Sequence, residues 1–121
     1  MKKITLAEAA AIVSSADNTL LTTHEKPDGD AVGSTLALFS VMRENGLRAD
    51  VFIPEPLPRH YMELASGFDI LTDPAAVRAK KYSRGISVDN ARGARAGVGK
   101  DYKFEELPRP LLNIDHHPDN E

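Results

Sequence analysis

The chain contains no cysteine, and this absence excludes several kinds of chemistry at once. Without cysteine there is no disulfide framework, no thiolate metal site and no thiol nucleophile. Long apolar runs are also missing. No stretch approaches the ~20 consecutive apolar residues that a membrane-spanning helix needs. The first residues, Met1–Ile4, lead into an amphipathic pattern rather than into the apolar core of a signal peptide. We therefore predict a cytoplasmic protein with no membrane partner.

The sequence also lacks a surplus of positive charge, since 15 Lys and Arg stand against 18 Asp and Glu, for a net charge of −3. Long duplex nucleic acid is usually bound by a basic face, so we do not expect such a partner here. The basic residues are nevertheless concentrated between Arg78 and Lys103. Within that segment Arg92 and Arg95 closely follow Asp89, and two interpretations stay open. They bind a substrate phosphate, or they belong to a solvated charged face.

The 121 residues, of which 41% are hydrophobic, suffice for one small globular domain, which we predict over residues 1–121. Strand and helix patterns alternate along the sequence. Helices are predicted over 5–16, from 30 to the Asn45–Gly46 stop, over 59–65 and from 74 onwards, and strands over 19–23, 49–53, 68–71, 86–89 and 111–114. This alternation is typical of an α/β fold, here a Rossmann-like parallel sheet with helices on both faces.

Side-chain patterns also predict which residues form the core. The first helix begins with a capping box, Thr5 to Glu8, and the second ends at Asn45–Gly46. Helical spacing assigns to the buried faces Leu6, Ala9, Ala10, Ile12 and Val13 of the first helix, and Val32, Leu36, Phe39 and Val41 of the second. A buried strand before Asp89 should be apolar, but residues 82–85 are Tyr-Ser-Arg-Gly, which do not favour a strand.

The turn after the first strand carries an unusual set of polar side chains. His24, Asp28 and Asp30 lie on a short bend stiffened by Pro27 and opened by Gly29. Borderline and hard divalent ions bind such mixtures of nitrogen and oxygen ligands. The alternative is an acidic helix N-terminus, with Asp28 or Asp30 as the cap and His24 as an ordinary strand-end residue.

Two further strands end in residues of the same kind. Asp89 is the last residue of the strand over 86–89, and Asp115-His116-His117 follows the strand over 111–114. The carboxyl ends of parallel strands share one edge of the sheet, so these groups should converge with those of the first turn. Five ligands suffice for two ions that share a bridging carboxylate, and Asp89 is the natural bridge. Paired ions of this kind activate water for phosphoryl displacement.

These motifs resemble a known family. The run His24-Glu25-Lys26-Pro27-Asp28-Gly29-Asp30-Ala31-Val32-Gly33-Ser34, followed by Asp89 and by Asp115-His116-His117, is similar to the N-terminal domain of the DHH phosphoesterases. That family includes RecJ-type exonucleases, nanoRNase/pAp phosphatases, cyclic dinucleotide phosphodiesterases and family II pyrophosphatases. The Pro-Asp-Gly-Asp-Ala form near the N-terminus most resembles the nanoRNase/pAp phosphatase branch.

The resemblance implies roles for the individual residues. His24, Asp28 and Asp89 would hold one Mn²⁺, and Asp30, Asp89 and His116 would hold a second, with Mg²⁺ as the other possible metal. His117 would face the substrate phosphate, and Asp115 would orient the histidine pair. Ser34 would pack the helix or support a ligand. The substrate would be a short nucleotide, such as an oligoribonucleotide or 3′-phosphoadenosine 5′-phosphate.

The family pattern continues beyond what these 121 residues hold. Members have a further metal-binding Asp after the Asp-His-His motif and then a C-terminal domain that grips the substrate. We therefore expect this chain to need that missing domain, or a second copy of itself as a homodimer, for full activity. A metal- or nucleotide-binding unit without turnover, and a DHH enzyme for a cyclic dinucleotide, pyrophosphate or single-stranded DNA, are the alternatives.

Overall fold

The computed structural model describes residues 3–23, 28–53, 59–63, 65–88 and 106–114. Their order along the chain is α1 (Leu6–Ser15), β1 (Thr19–Thr23), α2 (Gly29–Glu44), β2 (Ala49–Phe52), α3 (Arg59–Met62), β3 (Ile70–Leu71), α4 (Pro74–Arg78), β4 (Arg84–Val88) and β5 (Leu111–Ile114). In this part of the chain no helix is both long and apolar enough to cross a membrane.

The five strands form one parallel sheet in the order β3-β2-β1-β4-β5, which confirms the predicted α/β fold. β1 lies at the centre, and all five of its residues are buried, as its unbroken β-rich sequence predicts. Alternate residues of the strands enter two clusters, so both faces of the sheet are covered. One cluster joins Leu21, Val51, Ile86 and Leu112 to Val32, Leu36, Phe39 and Met42 of α2, and the other joins Leu20 and Phe52 to Val77 of α4 and Leu107.

The helix ends follow from local sequence signals. Thr5 and Glu8 form the predicted capping box at α1, and Asp73 caps α4 with Pro74 in its first turn. α2 ends at Asn45, and Gly46 then adopts a φ of 76°, a conformation that favours glycine.

Three predicted core residues, Leu6, Ala10 and Val41, are on the surface instead. Leu6 is 86% exposed and Val41 is 52% exposed. Val41 follows the buried Phe39 by two positions, which is about 200° around a helix, so the two side chains cannot share a face. Met42, three residues after Phe39, is buried in its place. Leu6 lies in the first turn of α1, a helix with no fully buried residue.

The start of β4 forms strand despite its poor sequence. Arg84 and Gly85 pair with Thr19 and Leu20 of β1, and the amide of Gly85 donates to the carbonyl oxygen of Pro110 at 3.0 Å. A methyl group on Gly85 would lie 2.8 Å from the carbonyl oxygen of Pro108. Glycine is therefore needed here because the chain that leads into β5 packs directly on the strand.

Candidate active site

Three strands end side by side at the carboxyl edge of the sheet. Thr23, Val88 and Ile114 are the last residues of β1, β4 and β5, and each is the register partner of its neighbour. Adjacent strands are about 4.8 Å apart, so the three ends span about 10 Å. The next residues in the sequence are His24, Asp89 and Asp115, which lie outside the described residues.

This edge is also the point where the chain changes direction across the sheet. β1 leads through α2 to β2 on one side, whereas β4 leads to β5 on the other. In open α/β sheets, ligands bind in the crevice that such diverging connections leave between two neighbouring strands. The sheet order therefore supports a ligand site beside the ends of β1 and β4.

Asp28 and Asp30 are the predicted site residues that the structure describes. Asp28 caps α2, and its Oδ1 accepts from the amide of Ala31 at 2.9 Å. Asp30 lies in the first turn, where its Oδ1 accepts from the hydroxyl of Ser34 at 3.3 Å. Both aspartates are exposed. An ionised carboxylate has about four acceptor positions, so capping by Asp28 is compatible with metal binding by the same side chain.

The two threonines at the end of β1 bond to the strands on either side. The Thr22 hydroxyl donates to the carbonyl oxygen of Phe52 in β2 at 3.1 Å. The Thr23 hydroxyl donates to the carbonyl oxygen of Val88 in β4 at 2.6 Å. Both threonines are buried. β1 is thus tied to both neighbours by side chains as well as by the sheet itself, at the edge where the candidate ligands follow.

Tyr61 of α3 packs against the first residue of α2. A methyl group added to Gly29 would lie 3.0 Å from Cε1 and 3.5 Å from the hydroxyl oxygen of Tyr61. Gly29 separates Asp28 from Asp30, so a half-buried aromatic ring supports the backbone between two candidate ligands. No local sequence pattern predicts this contact, because Tyr61 lies beyond β2 in the chain.

The other predicted site residues lie outside the described part of the chain. They are His24, Asp89, Arg92, Arg95, Asp115, His116 and His117. Among the described residues, no group of three or more His, Cys, Asp or Glu side chains is close enough to hold a metal ion. The ligand set therefore stays a prediction, and the structure contributes the alignment of the strands that lead into it.

A cavity of about 600 Å³ lies at the opposite, amino edge of the sheet. At its wall the Asp50 carboxylate accepts from the Tyr82 hydroxyl at 2.6 Å and from Lys80 Nζ at 2.9 Å. Burial alone would raise the pKa of Asp50, but these two hydrogen bonds outweigh it and lower the pKa. The amino edge carries none of the predicted ligands, so this cavity is separate from the candidate active site.

Comparison with known proteins identifies the family. The profile of the DHH family, N-terminal domain, matches residues 18–121. The chain belongs to the DHH family. Membership confirms the resemblance at that level and supports a phosphoesterase hydrolase at the level of the family. The match includes every strand of the sheet and all the predicted site residues.

The fold of this DHH domain is similar to that of a solved structure. An exopolyphosphatase-related protein from Bacteroides fragilis matches with a TM-score of 0.76 and 23% sequence identity. The match covers 100% of this chain and 38% of the other, so the chain spans well under half the length of that protein. At this identity the likeness shows the shared fold.

The side chains of the DHH motifs suit a hard or borderline divalent metal ion. Asp28 and Asp30 supply exposed carboxylates on the first turn of α2, and His24, Asp89 and His116 would add two imidazoles and a third carboxylate. Carboxylate oxygens suit hard ions such as Mg²⁺ and Mn²⁺, and imidazole suits borderline ions such as Fe²⁺ and Zn²⁺. The residues present therefore fit a hard or borderline divalent ion, the class to which the Mn²⁺ implied by the resemblance belongs.

Proposed function

We propose that this domain is the metal-binding part of a manganese-dependent phosphoesterase that hydrolyses short nucleotides, such as oligoribonucleotides or 3′-phosphoadenosine 5′-phosphate. The observation that carries the proposal is the row formed by Thr23, Val88 and Ile114. These three residues end neighbouring strands, and the next residues in the sequence are His24, Asp89 and Asp115. The Pro-Asp-Gly-Asp-Ala form of the first motif favours the nanoRNase/pAp phosphatase branch.

The sheet order supports the proposed division of ligands. β4 lies between β1 and β5 in the sheet. Asp89 directly follows β4, whereas His24 directly follows β1 and His116 comes two residues after the end of β5. A carboxylate in the middle position can serve both neighbours. In the proposal His24, Asp28 and Asp89 hold one Mn²⁺ and Asp30, Asp89 and His116 the other. When bound, such a metal pair lowers the pKa of a water molecule and stabilises charge on a phosphoryl group.

The remaining predicted residues would act on the substrate. His117 would face the phosphate, and Asp115 would orient the histidine pair. Arg92 and Arg95 would bind phosphate oxygens, because a guanidinium donates two parallel hydrogen bonds to such a group. Phosphoryl transfer depends mainly on positioning and on charge, so residues that hold the phosphate contribute much of the rate.

A second candidate substrate comes from the solved structure with the similar fold. That protein is described as exopolyphosphatase-related, which favours a phosphoanhydride over a nucleotide. A metal-binding unit without turnover is the candidate from a different class.

Two measurements on the 121-residue chain test the proposal. Calorimetry with Mn²⁺ should show two bound ions, and both should be weakened in Asp89→Asn because a bridging ligand serves both. Asp69→Asn, an exposed aspartate beside the amino-edge cavity, is the matched control and should bind like the parent. Binding of two ions by Asp89→Asn with parental affinity would contradict the ligand assignment.

Hydrolysis assays then distinguish the substrates. We expect the chain to release phosphate slowly from 3′-phosphoadenosine 5′-phosphate, or to cleave a dinucleotide slowly, when Mn²⁺ is present. Asp89→Asn should lose this activity. Turnover of polyphosphate in preference to both would favour the second candidate. Tight metal binding without turnover of any of the three would favour the non-catalytic unit.

A further inference from the structure

The hydrogen bond from Thr23 to Val88 lies at the last paired position of β1 and β4. Its length is 2.6 Å, and both residues are buried, with exposures of 1% and 6%. The two residues are 65 positions apart in the sequence. Within the described residues they form the final register pair between these strands. The threonine hydroxyl thus adds a direct link between the strands at the point where their ladder ends.

This link is adjacent to two of the proposed ligands. His24 follows Thr23, and Asp89 follows Val88. Successive Cα atoms are 3.8 Å apart, so each ligand backbone is one peptide unit from an anchored residue. In the proposed site, the separation of His24 and Asp89 should therefore depend on how firmly Thr23 and Val88 hold together.

We propose that Thr23 is a positioning residue for the metal site, whose hydroxyl fixes His24 relative to Asp89. The inference rests on the proposed function, in which His24 and Asp89 bind the same Mn²⁺. Metal sites tolerate errors of only about 0.2 Å in ligand distance. Partners that orient metal ligands without touching the metal change its affinity by about 10- to 100-fold when they are removed.

Thr22 provides a matched contrast within the same strand. Its hydroxyl makes a bond of the same kind, 3.1 Å long and buried, to Phe52 of β2. The residues that directly follow β2 include no predicted ligand, so this bond ties β1 to a strand that does not lead into the proposed site. Removal of either hydroxyl should loosen the sheet, but removal of the Thr23 hydroxyl should also move two ligands apart.

Thr19 provides the second control. It is buried at the amino end of β1, and in the described part of the chain its hydroxyl oxygen has no hydrogen-bond partner. Thr19→Val makes the same chemical change as Thr23→Val in the same strand without breaking a bond. Thr19→Val thus tests the loss of a hydroxyl alone, and Thr22→Val tests the loss of a buried hydrogen bond. Thr23→Val tests the loss of the hydrogen bond beside the proposed ligands.

The experiment measures Mn²⁺ affinity of the 121-residue chain by titration calorimetry, with the fraction folded checked by circular dichroism. We expect Thr23→Val to lose about 10- to 100-fold in affinity and Thr22→Val and Thr19→Val to stay within about threefold of the parent. Thr23→Ser keeps the hydroxyl and should restore binding. If Thr23→Val does not fold, Thr23→Cys offers a weaker donor at the same place, and a smaller loss in the same direction is expected.

Each outcome decides between the alternatives. Equal affinity of Thr23→Val and the parent, or an equal loss in Thr22→Val, would overturn the positioning role while leaving the metal site intact. Absence of Mn²⁺ binding in the parent would instead overturn the proposed function, and this inference would fail with it.

Discussion

The ring of Tyr61 lies so close to Gly29 that a single added methyl group would be 3.0 Å from Cε1 of the ring. This contact joins α3 to the first residue of α2. Further along the same helix, Phe39 and Phe68 pack edge to face with ring centroids 6.0 Å apart. The segment after β2 is therefore held to α2 at two separate points, one of which lies between Asp28 and Asp30.

Gly29→Ala should reveal how tightly Tyr61 packs. At a position with room for it, Gly→Ala stabilises by about 0.4–1 kcal/mol because it restricts the unfolded chain. We expect that gain to disappear or reverse in the parent, where the methyl group meets the Tyr61 ring, and to appear in Tyr61→Ala. The measurement is the free energy of unfolding for the parent, both single variants and the double variant. Additive effects, with a coupling energy near zero, would show that the ring yields freely.

Asp28 has a structural role and a proposed chemical one, and Asp28→Asn separates them. Asparagine caps helices about as well as aspartate, so the free energy of unfolding should change by less than about 0.5 kcal/mol. An amide is a poorer Mn²⁺ ligand than a carboxylate, so the affinity for Mn²⁺ should fall about 10-fold or more. Asp28→Ala should lose both properties.

Asp73→Asn is the matched control, because Asp73 caps α4 and belongs to no predicted site. It should preserve both the free energy of unfolding and Mn²⁺ binding. Unchanged affinity in Asp28→Asn would leave Asp28 as a helix cap alone, which is the alternative that the sequence left open.

The ion pair between Asp17 and Arg48 should make stability depend on acid pH. Hydrogen bonds from the Arg48 side chain and backbone lower the pKa of Asp17 from 3.8 to about 2. A carboxyl with a lowered pKa in the folded chain stabilises it above pH 3.8, and that contribution is lost as the pH falls towards 2. Because the pair is exposed, solvent screening keeps the effect small.

The test compares the parent with Asp17→Asn in thermal unfolding, from about pH 6 down to about pH 2. The difference in Tm should be largest above about pH 4 and should shrink as Asp17 becomes protonated in the folded parent. Arg48→Gln should reduce the pH-dependent part of that difference without abolishing it, because the backbone amide of residue 48 still donates to Asp17 Oδ1 at 2.6 Å. A difference in Tm that stays constant over the whole range would contradict the assignment of the lowered pKa.

Arg92 and Arg95 should bind phosphate without contributing to the metal. We expect Arg92→Lys and Arg95→Lys to weaken binding of 3′-phosphoadenosine 5′-phosphate in the presence of Mn²⁺, because lysine cannot form the paired hydrogen bonds of a guanidinium. Affinity for Mn²⁺ itself should be nearly unchanged. Arg43→Lys, beside the amino-edge cavity, is the control. Parental nucleotide affinity in both variants would favour the solvated charged face.

The sequence predicted the architecture well where the local pattern and the tertiary structure agree. Five strands, their parallel arrangement and the caps at Thr5 and Asp73 all follow from short-range signals. The prediction was wrong at Leu6, Ala10 and Val41. Val41 lies about 200° around the helix from the buried Phe39, and Leu6 and Ala10 belong to a helix with no fully buried residue. Arg84 and Gly85 form strand because they pair with β1, and residue 85 has to be glycine because Pro108, far along the chain, packs against it.

For the candidate site, the sequence predicted which strands carry ligands, and the structure added what aligns them. The register of Thr23 with Val88 and the bond between them depend on residues that are far apart in sequence. No local pattern distinguishes the hydroxyl of Thr23 from that of Thr19, although one is bonded and the other has no partner among the described residues. The same holds for Tyr61, whose contact with Gly29 exists only in the folded domain.

The position of β1 at the centre of the sheet also has a consequence for synthesis on the ribosome. Val88 follows Thr23 by 65 residues, so at about 5–20 residues per second it is made about 3–13 seconds later. During that interval the central strand can pair with β2, but its other edge has no partner. The residues of the first motif are thus present well before the strand that carries Asp89. A nascent chain would gain its proposed metal affinity only after β4 has been made and has filled the open edge.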